Sequence, residues 1–181
     1  MAHKGCTDTD MGLDNIFKEL DQFRNRCIKV GVTEDAGSKE GKGEATVAQY
    51  AAWNELGVRN KKGGWFIPPR SFVRGWADAK RENIAKTMEK LVSRVSSGEL
   101  KAETAIRYLG GYGRDGIKSY INNGDFAPNS DVTIHGSKPD KNGKKFIKGK
   151  GSSKPLIDTR TMLISIRYQI IEKPVDMVNE S

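Results

Sequence analysis

Leu13, Ile16, Phe17, Leu20 and Phe23 recur every three or four residues, a spacing that lays one apolar stripe along a short helix. Cys27, Ile28, Val30 and Val32 then alternate with polar or small residues, as a half-buried strand does, and EDAGSKEGKGEA (34–45) reads as an exposed loop. From Thr46, TVAQYAAWNEL is rich in helix formers and stops at Gly57, which suits a C-terminal cap. Pro68 and Pro69 fit the first turn of a helix, where a missing N–H costs little. A long helix is predicted from there, with Val73, Trp76, Ala77, Ile84, Met88, Leu91 and Val95 inward and Lys80, Arg81, Glu82 and Lys86 outward. Ser96 and Glu99 have capping-box spacing and predict a further helix carrying Ala102, Ile106, Leu109, Gly113, Ile117 and Tyr120, so that the two form a helical hairpin.

Downstream, DVTIH (131–135) reads as a strand, and GSKPDKNGKKFIKGKGSSK (136–154) as a basic loop or hairpin. Asp158 stands where an N-cap accepts from the amides of Arg160 or Thr161, closing one turn through Leu163. Ile164, Ile166, Tyr168 and Ile170 then alternate with Ser165, Arg167 and Gln169, a strand with one buried face, which Pro174 ends. These elements make an α+β protein: a small antiparallel or mixed β-sheet packed on one side by helices, including a long helix and a helical hairpin. At 181 residues a single domain, 1–181, is expected, with mobile N-terminal residues 1–10, a basic loop at 136–154 and a loose C-terminal tail at 174–181.

Charge adds a bias that the pattern does not contain. Thirty-one Lys and Arg against 23 Asp and Glu give a net charge of +8 and a pI near 9.5, which favours acidic surfaces or nucleic acid as partners. Cys6 and Cys27 share no metal-type or disulfide-rich spacing, and no apolar run approaches the roughly 18 residues of a membrane span. The polar start MAHKGCTDTD lacks the apolar core of a signal peptide. A cytosolic chain without metal, cofactor or membrane partner is therefore expected.

Motifs for catalysis are weak. GYGRDG (111–116) has the glycine spacing of a dinucleotide fingerprint, but a helical pattern runs through it where a strand should precede, so the glycines read as helix packing. GSKEGKG (37–43) lacks the gap and the Ser or Thr of a phosphate loop. His3 and His135 lie in loops or at ends, and Glu55, Asp78, Asp115 and Asp158 are scattered, so no nucleophile-base or acid-base pair emerges. Seven lysines, Lys138, Lys141, Lys144, Lys145, Lys148, Lys150 and Lys154, form either a solvated loop or an arm that contacts DNA phosphates or a partner. Trp76 reads as core, whereas Trp65 beside Phe66 in a Gly-rich stretch is a candidate for burial at a subunit contact.

Two blocks stand out together: AAWNELGVRNKKGGWFIPPRSFVRGWAD (51–78), and APNSDVTIHG (127–136) with KPLIDTRTMLISIRYQI (154–170). The pair resembles the tail-completion and head-to-tail joining (neck) proteins of tailed bacteriophages. The matches are Asn54, Glu55, Gly57, Ile67, Pro68, Pro69, Arg70 and Phe72, then Pro128, Asn129, Ser130, Thr133, Ile134, Pro155, Leu156, Ile157, Asp158, Thr159, Ser165 and Ile166. Arg160 departs from the family's usual glycine and Ser71 from its frequent proline. The resemblance implies a structural virion protein that catalyses nothing and forms a homo-oligomeric ring, hexameric or a multiple of that. Its neighbours would be the portal or connector and the tail-tube or tail-terminator proteins, with transient contact to packaged DNA. Its place would be the head-tail junction of a virion assembled in the host bacterial cytoplasm. The alternative is a stand-alone basic nucleic-acid-binding domain, marked by salt-steep binding as a monomer.

Overall fold

The computed structural model describes residues 12–33, 45–138, 147–149, 151, 156 and 160–173. Its elements are α1 (Leu13–Arg24), β1 (Arg26–Val32), α2 (Val47–Leu56), β2 (Val58–Arg59), β3 (Trp65–Ile67), α3 (Phe72–Ala79), α4 (Arg81–Ser96), α5 (Ala102–Asn123), α6 (Asp131–His135), β4 (Gly136–Ser137), β5 (Ile147–Lys148), α7 (Thr161–Ile164) and β6 (Ile166–Glu172). The chain is α+β. In place of one sheet, the described residues form three two-stranded ones, β1 with β6, β2 with β3, and β4 with β5. Lys173 N–H donates to Asn25 O, so the end of β6 lies at the start of β1 and the two strands run in opposite directions.

Two compact units interleave in sequence. One comprises Met1–Lys29, Glu82–Gly111 and Gln169–Ser181, the other Val30–Arg81 and Tyr112–Tyr168. In the first, Leu91, Val95, Ala102 and Ala105 are buried, with Leu20, Phe23, Leu100 and Leu109 packed against them. The sequence stripe of α1 therefore faces inward through Leu20 and Phe23, while Leu13 and Phe17 stay exposed. Helix α4 stops where Gly98 adopts φ 74°, and the amides of Glu99 and Leu100 both turn back to Arg94 O. The capping box expected at Ser96 and Glu99 does not form. Ser96 Oγ donates to Val92 O inside α4, and Glu99 meets Arg94 at 3.4 Å. Instead α5 begins at Ala102, whose N–H donates to Glu19 Oε2 at 2.6 Å. A carboxylate from α1 thus satisfies one of the orphan amides of α5.

In the second unit the local code holds at α2. Thr46 Oγ1 accepts from Gln49 N–H while Gln49 Oε1 accepts from Thr46 N–H, a reciprocal capping box. The long helix predicted from Pro68 is corrected in two ways. Ile67 and Pro68 each precede a proline and are held out of the helical region, so α3 starts only at Phe72. The chain then breaks at Lys80, with φ −114° and its N–H turned to Trp76 O and Asp78 O, and α4 is a separate helix. The strand expected at DVTIH is the single-turn α6, because Ser130 Oγ accepts from Thr133 N–H at 3.3 Å and nucleates a turn.

The glycines of GYGRDG lie inside α5, and Gly113 and Gly116, though not Gly111, serve packing. A Cβ on Gly113 would meet Val30 Cγ2 at 3.0 Å, and one on Gly116 would sit 2.6 Å from Trp76 Cζ2. Trp76 is buried at 8% exposure and stacks obliquely on Tyr112, with ring centroids 6.0 Å apart. Across the same helix, Gly75 of α3 leaves room for Tyr120, which meets Phe126 edge to face. Phe72, Ile117, Ile121 and Ile166 are the largest side chains fully buried in this unit, and each contributes roughly 1.5–3 kcal/mol relative to exposure.

Candidate functional site

The site assembles around one arginine. Helix α2 delivers Asn54 and Glu55 at its last turn, and Gly57 ends it with φ 76° and ψ 165°, a backbone region that is essentially glycine-only. The chain then makes a hairpin of β2 and β3 and returns, so that Arg70 N–H donates to Asn54 O at 2.6 Å. Arg70 is 7% exposed. Its Nε donates to Ala127 O at 2.8 Å, one terminal nitrogen to Asn54 Oδ1 at 3.2 Å, and the other to Pro128 O at 3.0 Å and Asn129 Oδ1 at 3.4 Å. All four acceptors are neutral oxygens. Burial pushes the guanidinium pKa below its ordinary value, partly countered by Tyr50, yet an arginine stays charged across the pH range of a folded protein.

Glu55 completes the joint. Its two carboxylate oxygens accept from the amides of Val73 and Arg74 at 2.9 and 3.0 Å, capping the N-terminus of α3, and Ser71 Oγ donates to Glu55 O at 3.1 Å. Ser71, at the N-cap position, makes no side-chain cap of its own. The buried Phe72 follows directly, so the pair of residues before α3 anchors the bend from both sides. Asn54, itself buried, also donates to Tyr50 O at 2.9 Å, which fixes the amide whose oxygen receives Arg70.

Beyond the joint, the hairpin is tied by its own hydrogen bonds and carries apolar side chains into solvent. Asn60 organises its tip: Oδ1 accepts from Lys62 and Gly64 amides, its own N–H reaches Gly64 O, and its carbonyl accepts from Gly63. Arg59 lies over the Trp65 ring at 4.3 Å and donates to Gly63 O. Trp65 is nonetheless 47% exposed and Phe66 75%, and on the last turns of α2 Trp53 and Leu56 are exposed as well. Trp53 and Leu56 are three residues apart and so share a helix face. Trp76 is thus core, as its sequence position suggested, whereas Trp65 and Trp53 stand exposed.

The second sequence block is placed in part. Pro128 and Asn129 sit on Arg70, and Leu156 is buried with φ 68°, in the left-handed region that a bulky residue seldom takes. Ile157, Asp158 and Thr159 lie outside the described residues. The N-cap of α7 is not Asp158 but Arg160, with φ 56° and ψ −4° and no side-chain cap bond, and the turn runs Thr161–Ile164. Helix α7 packs against α2, which brings the two blocks into one unit. Of the lysine tract, Lys138 and Lys148 are exposed at the base of the antiparallel β4–β5 hairpin, and Lys141, Lys144, Lys145, Lys150 and Lys154 lie outside the described residues.

The geometry at Arg160 yields a direct test. A side chain in the left-handed region costs about 1 kcal/mol relative to glycine. Arg160→Gly is therefore expected to raise the thermal midpoint by roughly 2 °C, read by differential scanning calorimetry. A lowered midpoint would mean that the exposed arginine makes a stabilising contact that outweighs its backbone.

Sequence reasoning singled out Asn54, Glu55 and Arg70 but not Glu19 and Asn60, whose side chains accept from main-chain amides, nor Ala127, which acts through its carbonyl. Among the described residues no group of three or more His, Cys, Asp or Glu is arranged to hold a metal, and no helix is long and apolar enough to cross a membrane. No family model, curated protein or solved structure matches the chain.

Proposed function

We propose that this chain is a structural subunit of a tailed-bacteriophage virion, assembling as a ring at the head-tail junction and joining the head connector to the tail. The observation that carries this reading is the convergence of the two sequence blocks that resemble neck proteins. Asn54 from the first block and Pro128 and Asn129 from the second, 58 and 59 residues from Arg70, meet at the buried guanidinium of Arg70, while Glu55 caps the helix that follows it. Residues matched for their order in sequence thus share one physical task, the fixing of a bend. That bend presents a hairpin whose Trp65 and Phe66 are solvent-facing, the kind of aromatic anchor that becomes buried when subunits meet.

The work is assembly, with energy drawn from buried surface and no bond made or broken. Lys138 and Lys148 stand exposed at one hairpin base, where cations lower the energy of passing DNA phosphates. Disrupting the coding sequence in the phage or prophage that carries it is expected to leave DNA-filled heads and finished tails unjoined, as seen by electron microscopy of negatively stained lysates. Intact, infectious particles after disruption would overturn the reading, as would particles whose neck lacks this chain by immunogold labelling.

A further inference from the structure

A recess of about 410 Å³ lies between α4 and α5, with Leu91 and Leu100 on its floor, Thr104 and Tyr108 along one wall, and Lys90 and Arg94 at its rim. The volume falls within the range of ligand-binding clefts, roughly 300–1,000 Å³. Its chemistry asks for an occupant that is apolar in the middle and anionic at two points. Lys90 and Arg94 are four residues apart on α4, hence neighbours on one helix face. Arg94 pairs with Glu99 at 3.4 Å, both side chains more than half exposed, a pair that exchanges partners at little cost.

One segment of the chain itself has the complementary pattern. VDMVNES, 175–181, carries Asp176 and Glu180, also four residues apart, with Val175, Met177 and Val178 as apolar residues and no cation. In a protein of net charge +8, such an acidic stretch is the natural counterpart for a cationic rim, since the net positive charge of a second copy otherwise repels that rim. We propose that the recess receives residues 175–181 of a second copy of this chain, with Asp176 and Glu180 paired to Lys90 and Arg94. The choice of a second copy rests on the ring reading, because a closed ring requires two different, mutually complementary patches on every subunit. The recess and the acidic segment are such a pair.

Sedimentation velocity of the full chain at rising concentration and low salt tests this. The wild-type chain is expected to self-associate, Lys90→Glu or Asp176→Lys alone to weaken association roughly tenfold, and the two together to restore most of it. Both positions are charged surface sites, and far-ultraviolet circular dichroism confirms that each variant is folded. A chain that stays monomeric at every concentration, or whose association ignores the reversals or is not rescued by their combination, overturns the proposal. If disruption of the gene leaves heads and tails unjoined while the charge swap has no effect, this contact fails and the neck reading stands. If the swap behaves as expected and particles assemble without the chain, the reverse holds.

Discussion

Replacing Arg70 by Ala is expected to destabilise the protein by about 3–5 kcal/mol, lowering the thermal midpoint by roughly 10 °C. The reasoning begins with the acceptors. Ala127 O, Pro128 O, Asn54 Oδ1 and Asn129 Oδ1 all receive hydrogen bonds from one buried guanidinium, and each bond to a charged group contributes about 1.5–3 kcal/mol before desolvation is subtracted. Removing the side chain takes the donor from the buried Asn54 amide and from the Ala127 and Pro128 carbonyls, and it releases the stretch from Ala127 to Asn129 from the α2 joint. Arg70→Lys should recover little, about 1 kcal/mol, because a single ammonium on a flexible stem cannot span acceptors arranged around a planar fork. The loss is expected to be flat between about pH 5 and 9. Burial lowers the arginine pKa, which disfavours the charged form, but an arginine is not deprotonated in a protein across this window, so no proton is exchanged on unfolding. Urea unfolding monitored by circular dichroism measures these differences. A cost below 1 kcal/mol for Arg70→Ala would mean that the two blocks are held together by other contacts, and the observation carrying the functional proposal would lose its force.

The joint also shows which parts of this fold can be read from sequence. Alternation in Cys27–Val32 and Ile166–Ile170 identified the two long strands, but Ile164, read as part of the second, ends α7 and is exposed, and the stop at Gly57 was legible because a glycine at that point has a local backbone reason. Helix starts were a different matter. The N-terminus of α3 is capped by Glu55, and that of α5 by Glu19, 83 residues away, so neither start has a local signal. Ser96 and Glu99 had the right spacing for a cap, but the turn at Gly98 placed Ser96 at the end of the preceding helix. DVTIH shows the opposite error: its β-branched residues suggested a strand, and the hydroxyl of Ser130 one residue earlier decided for a helical turn. For the site, Arg70 was visible only as a motif residue. Two of its four acceptors are main-chain carbonyls, which leave no mark in residue type, and their convergence exists only after folding.

Gly57→Ala is expected to cost about 3 kcal/mol or more, and comparison with Gly98→Ala separates two causes. Both glycines have positive φ, 76° and 74°. At Gly98 an added Cβ meets nothing within 4 Å, so only the backbone preference is lost, about 1 kcal/mol. At Gly57 the same atom would stand 2.8 Å from Trp65 Cζ3, 2.9 Å from Pro69 N and 3.0 Å from Ile67 O. The last two are main-chain atoms of the segment that leads to Arg70, and they cannot move without shifting the residues that the guanidinium fixes. The excess cost of Gly57→Ala over Gly98→Ala is therefore a measure of how firmly the β2–β3 hairpin is seated on the end of α2. Trp65 should report the displacement independently, because losing its place beside Gly57 and under Arg59 leaves the indole more solvated and red-shifts its emission. Equal costs for the two substitutions would show that the hairpin yields freely. A hairpin that yields is a poor platform for Trp65 and Phe66, since each contact it then made would have to offset the entropy of fixing it. A large excess instead means that the aromatic tip is held in place before any partner arrives, the condition under which a small apolar surface can drive subunits together.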